Sequence, residues 1–179
     1  MAEAFSNKLA RAVGVVSTSS AGSIGVTTNL ITGISTTNVT VGDIVDNSQF
    51  IAGTKVSSIG VNSTTCDRDS TNTTAATSQS VKYLGLTTAY TSAASTKSIL
   101  IGGTFANNTN SQVNVTVSVY DNSATSEVAI ASKIPVPNGS SFVISDTGKT
   151  VLESLDAIRV YCDTANAIDV TLSILTGVS

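Results

Sequence analysis

The stretch Val113-Asn114-Val115-Thr116-Val117-Ser118-Val119-Tyr120 alternates a valine with a polar or amphipathic residue without a break. Successive side chains of an extended strand point to opposite sides, so this stretch is a strand with one apolar and one polar face. The same reading applies to Ile168, Val170, Leu172 and Ile174, which alternate with Asp169, Thr171 and Ser173. Between these two anchors, residues 127–134, 141–144 and 157–162 read as shorter strands, and residues 97–105 lead in. Their separators are turn-formers: Asn107-Asn108, Asp121-Asn122-Ser123, Pro137-Asn138-Gly139 and Asp146-Thr147-Gly148. Six or seven short, half-buried strands over about 85 residues describe an antiparallel β-sandwich. The expected class is therefore all-β, with a β-sandwich C-terminal lobe over residues 97–179.

Upstream, β-branched residues still dominate, but Ser, Thr, Asn and Gly interrupt them at short intervals. Residues 29–34, 37–41, 55–59, 62–66 and 80–84 are the strand candidates of a smaller β-rich N-terminal lobe spanning residues 14–86. Val56 and Ile59 do not alternate cleanly, which predicts a bulge or strand end near Ser58. Residues 67–80 carry almost no apolar bulk and read as a long exposed loop, and residues 87–96 read as a linker between the lobes. One segment reads as helix. Phe5, Leu9 and Val13 repeat at i, i+4 and i+8, Lys8 and Arg11 lie off that stripe, and Gly14 stands where a C-cap would. A helix this short is marginal in water, so an N-terminal helical arm over residues 1–13 must dock on its own body or on a neighbouring subunit.

Composition narrows the chemistry. The chain of 179 residues has no His and no Trp, and charged residues make up 12%. Without His, histidine triads, histidine-ligated zinc and histidine-ligated haem are excluded. A formal net charge of −3 argues against a surface that tracks nucleic-acid phosphates. No apolar run approaches the length of a membrane-spanning helix. The N-terminus carries Glu3 and lacks an apolar h-region, so no secretory signal is read there and folding in a cytosol is expected. On that expectation the sequons at Asn38, Asn62, Asn72, Asn107, Asn114 and Asn138 carry no glycan. Cys66 and Cys162 read as small apolar fillers kept reduced, with a single long-loop disulfide as the alternative. The 27 serines and 27 threonines supply hydroxyls but no base to activate one.

Other candidates are weak. Asp67-Arg68-Asp69 is followed by Ser70, Thr71 and Asn72, but an EF-hand needs Gly at the position of Asn72 and Glu at that of Ser78. A solvated turn is expected there, with a loose calcium site as the alternative. Asp163-Thr164-Ala165-Asn166 reads as a hairpin turn held by Asx hydrogen bonds. Tyr83, Tyr90, Tyr120 and Tyr161 show no spacing that builds a sugar platform. Gly33, Gly42, Gly53, Gly60 and Gly85 precede no helix and so form no phosphate loop. No catalytic, cofactor-binding or metal-binding residue is assigned, and no enzyme is expected.

Two stretches carry a resemblance. Val41-Gly42-Asp43-Ile44-Val45 with Phe50-Ile51-Ala52-Gly53-Thr54-Lys55-Val56-Ser57-Ser58-Ile59 looks like a strand–turn–strand element of phage structural and tail-associated proteins. The run from Ile134 through Ile144, followed by Leu152 to Val160, resembles small β-sandwich domains on phage particles. The whole chain is similar to the small virion structural proteins of T4-like phages that infect cyanobacteria. That resemblance implies a non-enzymatic subunit of a tailed-phage virion, a capsid decoration or a neck or tail accessory. It would fold in the host bacterial cytoplasm and end in the virion, with other virion proteins and copies of itself as partners, and with no nucleic acid, membrane or cofactor. Phe5, Leu9 and Val13 would then be the assembly anchor. The alternative function is a fibre or adhesin module that binds glycans or a host surface, using residues 67–80 and tyrosines.

Overall fold

The computed structural model describes residues 3–178, with side chains at all of these positions except 20 and 145–148. Among the described residues every regular element is a β-strand, and every named strand pairing is antiparallel. The chain divides into two compact units. One joins the residues up to Gly14 to those from Thr87 onward, and the other is Val15–Leu86.

The first unit contains two four-stranded sheets. One has β1 (Ala4–Val13), β14 (Ile168–Val178), β9 (Lys97–Asn107) and β12 (Ser141–Leu152) in the order β1-β14-β9-β12. The other has β11 (Ser126–Val136), β10 (Val113–Asp121), β13 (Ala157–Cys162) and β8 (Thr87–Thr91) in the order β11-β10-β13-β8. Alternation places the core. Val113, Val115 and Val117 on β10 and Ile168, Val170, Leu172 and Ile174 on β14 are all buried, and they belong to one cluster with Phe105, Leu152, Ile158 and Val160. Each such side chain contributes about 1.5 to 3 kcal/mol by leaving water. Residues from both sheets therefore share a single core. On the other face of β10, Thr116 and Ser118 are also buried: Thr116 lies opposite Tyr161 and accepts a hydrogen bond from Lys133 N–H at 3.0 Å, and Ser118 lies opposite Arg159. Ser118 donates to Glu127 Oε1, Arg159 reaches Glu127 Oε2 at 3.5 Å, and its guanidinium stacks 3.8 Å from the Tyr120 ring centroid.

The second unit is a six-stranded sheet of β4 (Ile44–Asp46), β7 (Ala76–Gly85), β2 (Val15–Ile24), β3 (Leu30–Thr32), β6 (Ser63–Cys66) and β5 (Val56–Gly60), in the order β4-β7-β2-β3-β6-β5. Its own core is built from Ile24, Ile31, Ile34, Val45, Phe50, Val56, Val81 and Tyr83. The pairing of β5 with β6 is irregular between Val56 and Ser58, where broken alternation predicts a bulge.

Four expectations need correction. The N-terminal helical arm is a strand. Phe5 and Leu9 are four apart, and four is also an even number, so the same stripe fits one face of a strand. The pairing decides it, because β14 has an edge to fill and β1 pairs with it from Ala4↔Thr176 to Val13↔Ile168. Gly14 is accordingly no helix cap. The linker expected over residues 87–96 holds β8, which pairs with β13 at Ala157↔Thr91 and Ile158↔Tyr90. β8 ends its sheet, so it needs little apolar bulk and its composition resembles a loop. Residues 37–41 form no strand, because the Asp43 carboxylate accepts hydrogen bonds from Thr40 N–H and Thr40 Oγ1, both at 2.8 Å, and holds a turn. Residues 67–80 are not all exposed loop. Ser70 and Asn72 are buried, Asn72 Nδ2 donates to Gly25 O at 2.9 Å, and the chain enters β7 at Ala76. The turn expected at Asp146-Thr147-Gly148 falls outside the positions with described side chains.

Candidate functional site: the open edge and outer face of β1

Among the described residues β1 has one hydrogen-bonded strand neighbour, β14, so its other side is an open edge of the sheet they form. Along β1, Ser6, Lys8 and Ala10 are half-buried, while Phe5, Asn7, Leu9 and Arg11 are exposed. Phe5 is 76% exposed and Leu9 73%. Val13 breaks with them. The register slips between Ala10 and Val13, Ala12 takes a positive φ of 55°, and Val13 turns into the core at 1% exposure. Of the three anchor residues, two therefore share the solvent face and the third belongs to the core.

Register extends that face across the sheet. Phe5 lies opposite Leu175, Leu175 opposite Ile99, and Ile99 opposite Val151. Directly opposed residues in an antiparallel pair share a face. One apolar row thus crosses all four strands, with its outer ends, Phe5 and Val151, largely in solvent. A second row runs Leu9, Thr171, Thr104, Val143, again ending on two exposed apolar side chains. Asn7 and Ser173 lie between the rows, and Ser173 Oγ donates to Asn7 Oδ1 at 3.3 Å. Exposed apolar side chains at the ends of two rows on one face are what one expects of a contact surface.

The inner side of β1 is polar. The Lys8 ammonium lies 5.9 Å from the Tyr90 ring centroid, and Tyr90 Oη is hydrogen-bonded to Ser98 Oγ at 2.8 Å. With Thr176 and Gly177 these residues line a cleft of about 300 Å³. The Ser6 hydroxyl is buried with no hydrogen-bond partner among the described residues.

The other candidates are dispersed. Asp67 accepts a hydrogen bond from Lys55 N–H at 2.8 Å in an exposed turn. No group of three or more acidic, Cys or His side chains among the described residues could hold a metal ion. Asp163 accepts from Asn114 N–H and Nδ2, which ties the 163–166 turn to β10. The four tyrosines do not converge: Tyr83 and Tyr161 are buried, Tyr120 lies under Arg159, and Tyr90 lines the cleft. Both cysteines are free and buried. Burial pushes the Cys66 thiol up to about 12, the Asp67 charge adding to it, and burial likewise raises Cys162. Cys162 Sγ is 3.1 Å from Thr164 O, which it reaches as a weak donor. No helix among the described residues is long and apolar enough to cross a membrane.

Sequence reasoning singled out Phe5 and Leu9 but missed Leu175, Ile99, Val151 and Val143. Each of these directly adjoins an apolar residue of the core or one packed against it, and only the register shows that they line up with β1. No protein-family model matches the chain, and neither a curated protein nor a solved structure matches it.

Proposed function

We propose that this chain is a non-enzymatic structural subunit of a tailed-phage virion, a capsid decoration or a neck or tail accessory, that works by assembly on other virion proteins. The observation that carries the assembly reading is the row Phe5, Leu175, Ile99, Val151 on the solvent face of a sheet with an open edge. The phage setting rests on the resemblance of residues 41–59 and 134–160 to particle proteins. In this reading the two sheets of the first unit are the layers of an antiparallel β-sandwich, and the chain folds in the bacterial cytoplasm before joining the particle. The outer face of β1 is the contact, and Val13 holds the strand's end in the core rather than touching a partner.

Deleting residues 1–13 is a poor test, because it would uncover β14 as well as remove the contact. Point changes on the solvent face separate the two effects. The double variant Phe5→Glu, Leu9→Glu should fold normally and fail to enter purified particles. Normal incorporation of that variant, or absence of the wild-type chain from particles, would overturn the reading.

A further inference from the structure

We propose that β1 pairs with β1 of a second copy of this chain, antiparallel and centred on Asn7, joining two four-stranded sheets into one of eight strands. The inference rests on the assembly reading above and names one partner for that surface.

The sequence of the strand is self-complementary in this register. With Asn7 on the two-fold axis, position i of one strand faces position 14 − i of the other. Phe5 then faces Leu9 of the second copy, and Leu9 faces its Phe5. Just outside them Glu3, one residue before β1, comes level with Arg11, at the start of the stretch where the β1–β14 register slips, so each end of the pair carries opposite charges. Phe5, Asn7, Leu9 and Arg11 all lie on the exposed face, as this pairing requires. Glu3 is exposed too. A shift by one residue would oppose Phe5 to Lys8 or Ala10, which point to the other face. A shift by two would set Phe5 against Asn7 or Arg11 and lose the Phe–Leu pairs. Only the Asn7-centred register matches both the apolar and the charged positions.

The contact is isologous, so it closes on itself. Each β1 edge is used once, and no free β1 edge remains to propagate a fibre. On the inner face the same register sets Lys8 opposite Ser6, both half-buried. The rows of the two copies join across the axis, running from Val151 through Ile99 and Leu175 to Phe5, and on through Leu9, Thr171 and Thr104 to Val143 of the second copy.

Charge reversal tests the register without disturbing the core, because both charged residues are exposed. Wild-type protein should sediment as a dimer. Glu3→Arg alone, or Arg11→Glu alone, should weaken dimerisation by about tenfold through two symmetry-related repulsive contacts. The double reversal should restore it. Asn7→Cys should give a covalent dimer on mild oxidation, while the exposed Asn110→Cys should not. A monomer at every concentration that still enters particles would overturn the pairing and leave the assembly reading standing. A dimer indifferent to the reversals and to Asn7→Cys would place the contact elsewhere and overturn the pairing. Rescue by double reversal in a protein absent from particles would uphold the pairing and overturn the phage reading.

Discussion

At the scale of single residues, Gly14 is held tightly. Its φ is +129°, and a Cβ there would lie 2.2 Å from Thr164 O and 2.8 Å from Cys162 Sγ. Asn166 N–H donates to Gly14 O and Ala167 N–H to Val13 O, both at 2.9 Å, so the backbone cannot move away without losing both. Gly14→Ala should therefore cost about 3 kcal/mol, combining backbone strain with a clash against main chain, as read by urea denaturation. A loss under about 0.5 kcal/mol would mean the site relaxes freely. The buried ionisable groups make a second prediction. Cys66 is raised from 9.0 to about 12 and Tyr83 from 10.0 to about 12, each mainly by burial. Both stay protonated in the folded chain while the unfolded chain loses its protons. Their contribution is whole below pH 9, and it is lost as pH rises from 9 towards 12. The melting temperature should fall between about pH 8 and about pH 10.5. In the native protein at about pH 8 neither thiol should react with a thiol reagent, whereas both should react in denaturant. Rapid labelling of the native protein would contradict the burial.

At the scale of elements, the strands fall into two kinds, and this explains how far the sequence could be read. β10 and β14 each turn one apolar face into the shared core along most of their length, so apolar residues alternate strictly from Val113 to Val117 and from Ile168 to Ile174. Both could be placed from the sequence, as could β13. The strands that escaped notice lack this constraint. β1 and β8 end their sheets, and β2 carries Ser17-Thr18-Ser19-Ser20 through its middle. Their partners define them, and a partner is a long-range fact: Phe5 is paired with Leu175. The same difference gives unequal costs for one substitution. Leu172→Ala, on β14 at 0% exposure, should cost about 2 to 5 kcal/mol. Leu9→Ala, on β1 at 73% exposure, should stay within about 0.5 kcal/mol in the free chain while weakening any contact made by that face. Parallel urea titrations of the two variants check this, and equal losses would mean that Leu9 is covered in the folded monomer.

At the scale of the whole molecule, the chain makes its first strand, leaves for an entire second unit, and returns to complete the first. The unit Val15–Leu86 is thus an insertion between β1 and β8. Its ends meet, because Val15 lies directly opposite Gly85 in the β2–β7 pairing, about 5 Å away. Each unit also has its own core cluster: Ile24, Ile31, Val81 and Tyr83 in one, Phe105, Val115, Leu172 and Ile174 in the other. An inserted unit with adjacent ends and a separate core closes a loop in its host as a short linker would. Replacing residues 15–86 by a short Gly-Ser linker should therefore leave a folded first unit with β1 still paired to β14. The isolated segment 15–86 should fold as well, with its thiol at Cys66 protected and its Tyr83–Thr64 hydrogen bond at 2.9 Å intact. Amide exchange reads both outcomes. Fast exchange along β1 in the shortened chain would mean that the insertion is needed to hold the first strand in its sheet.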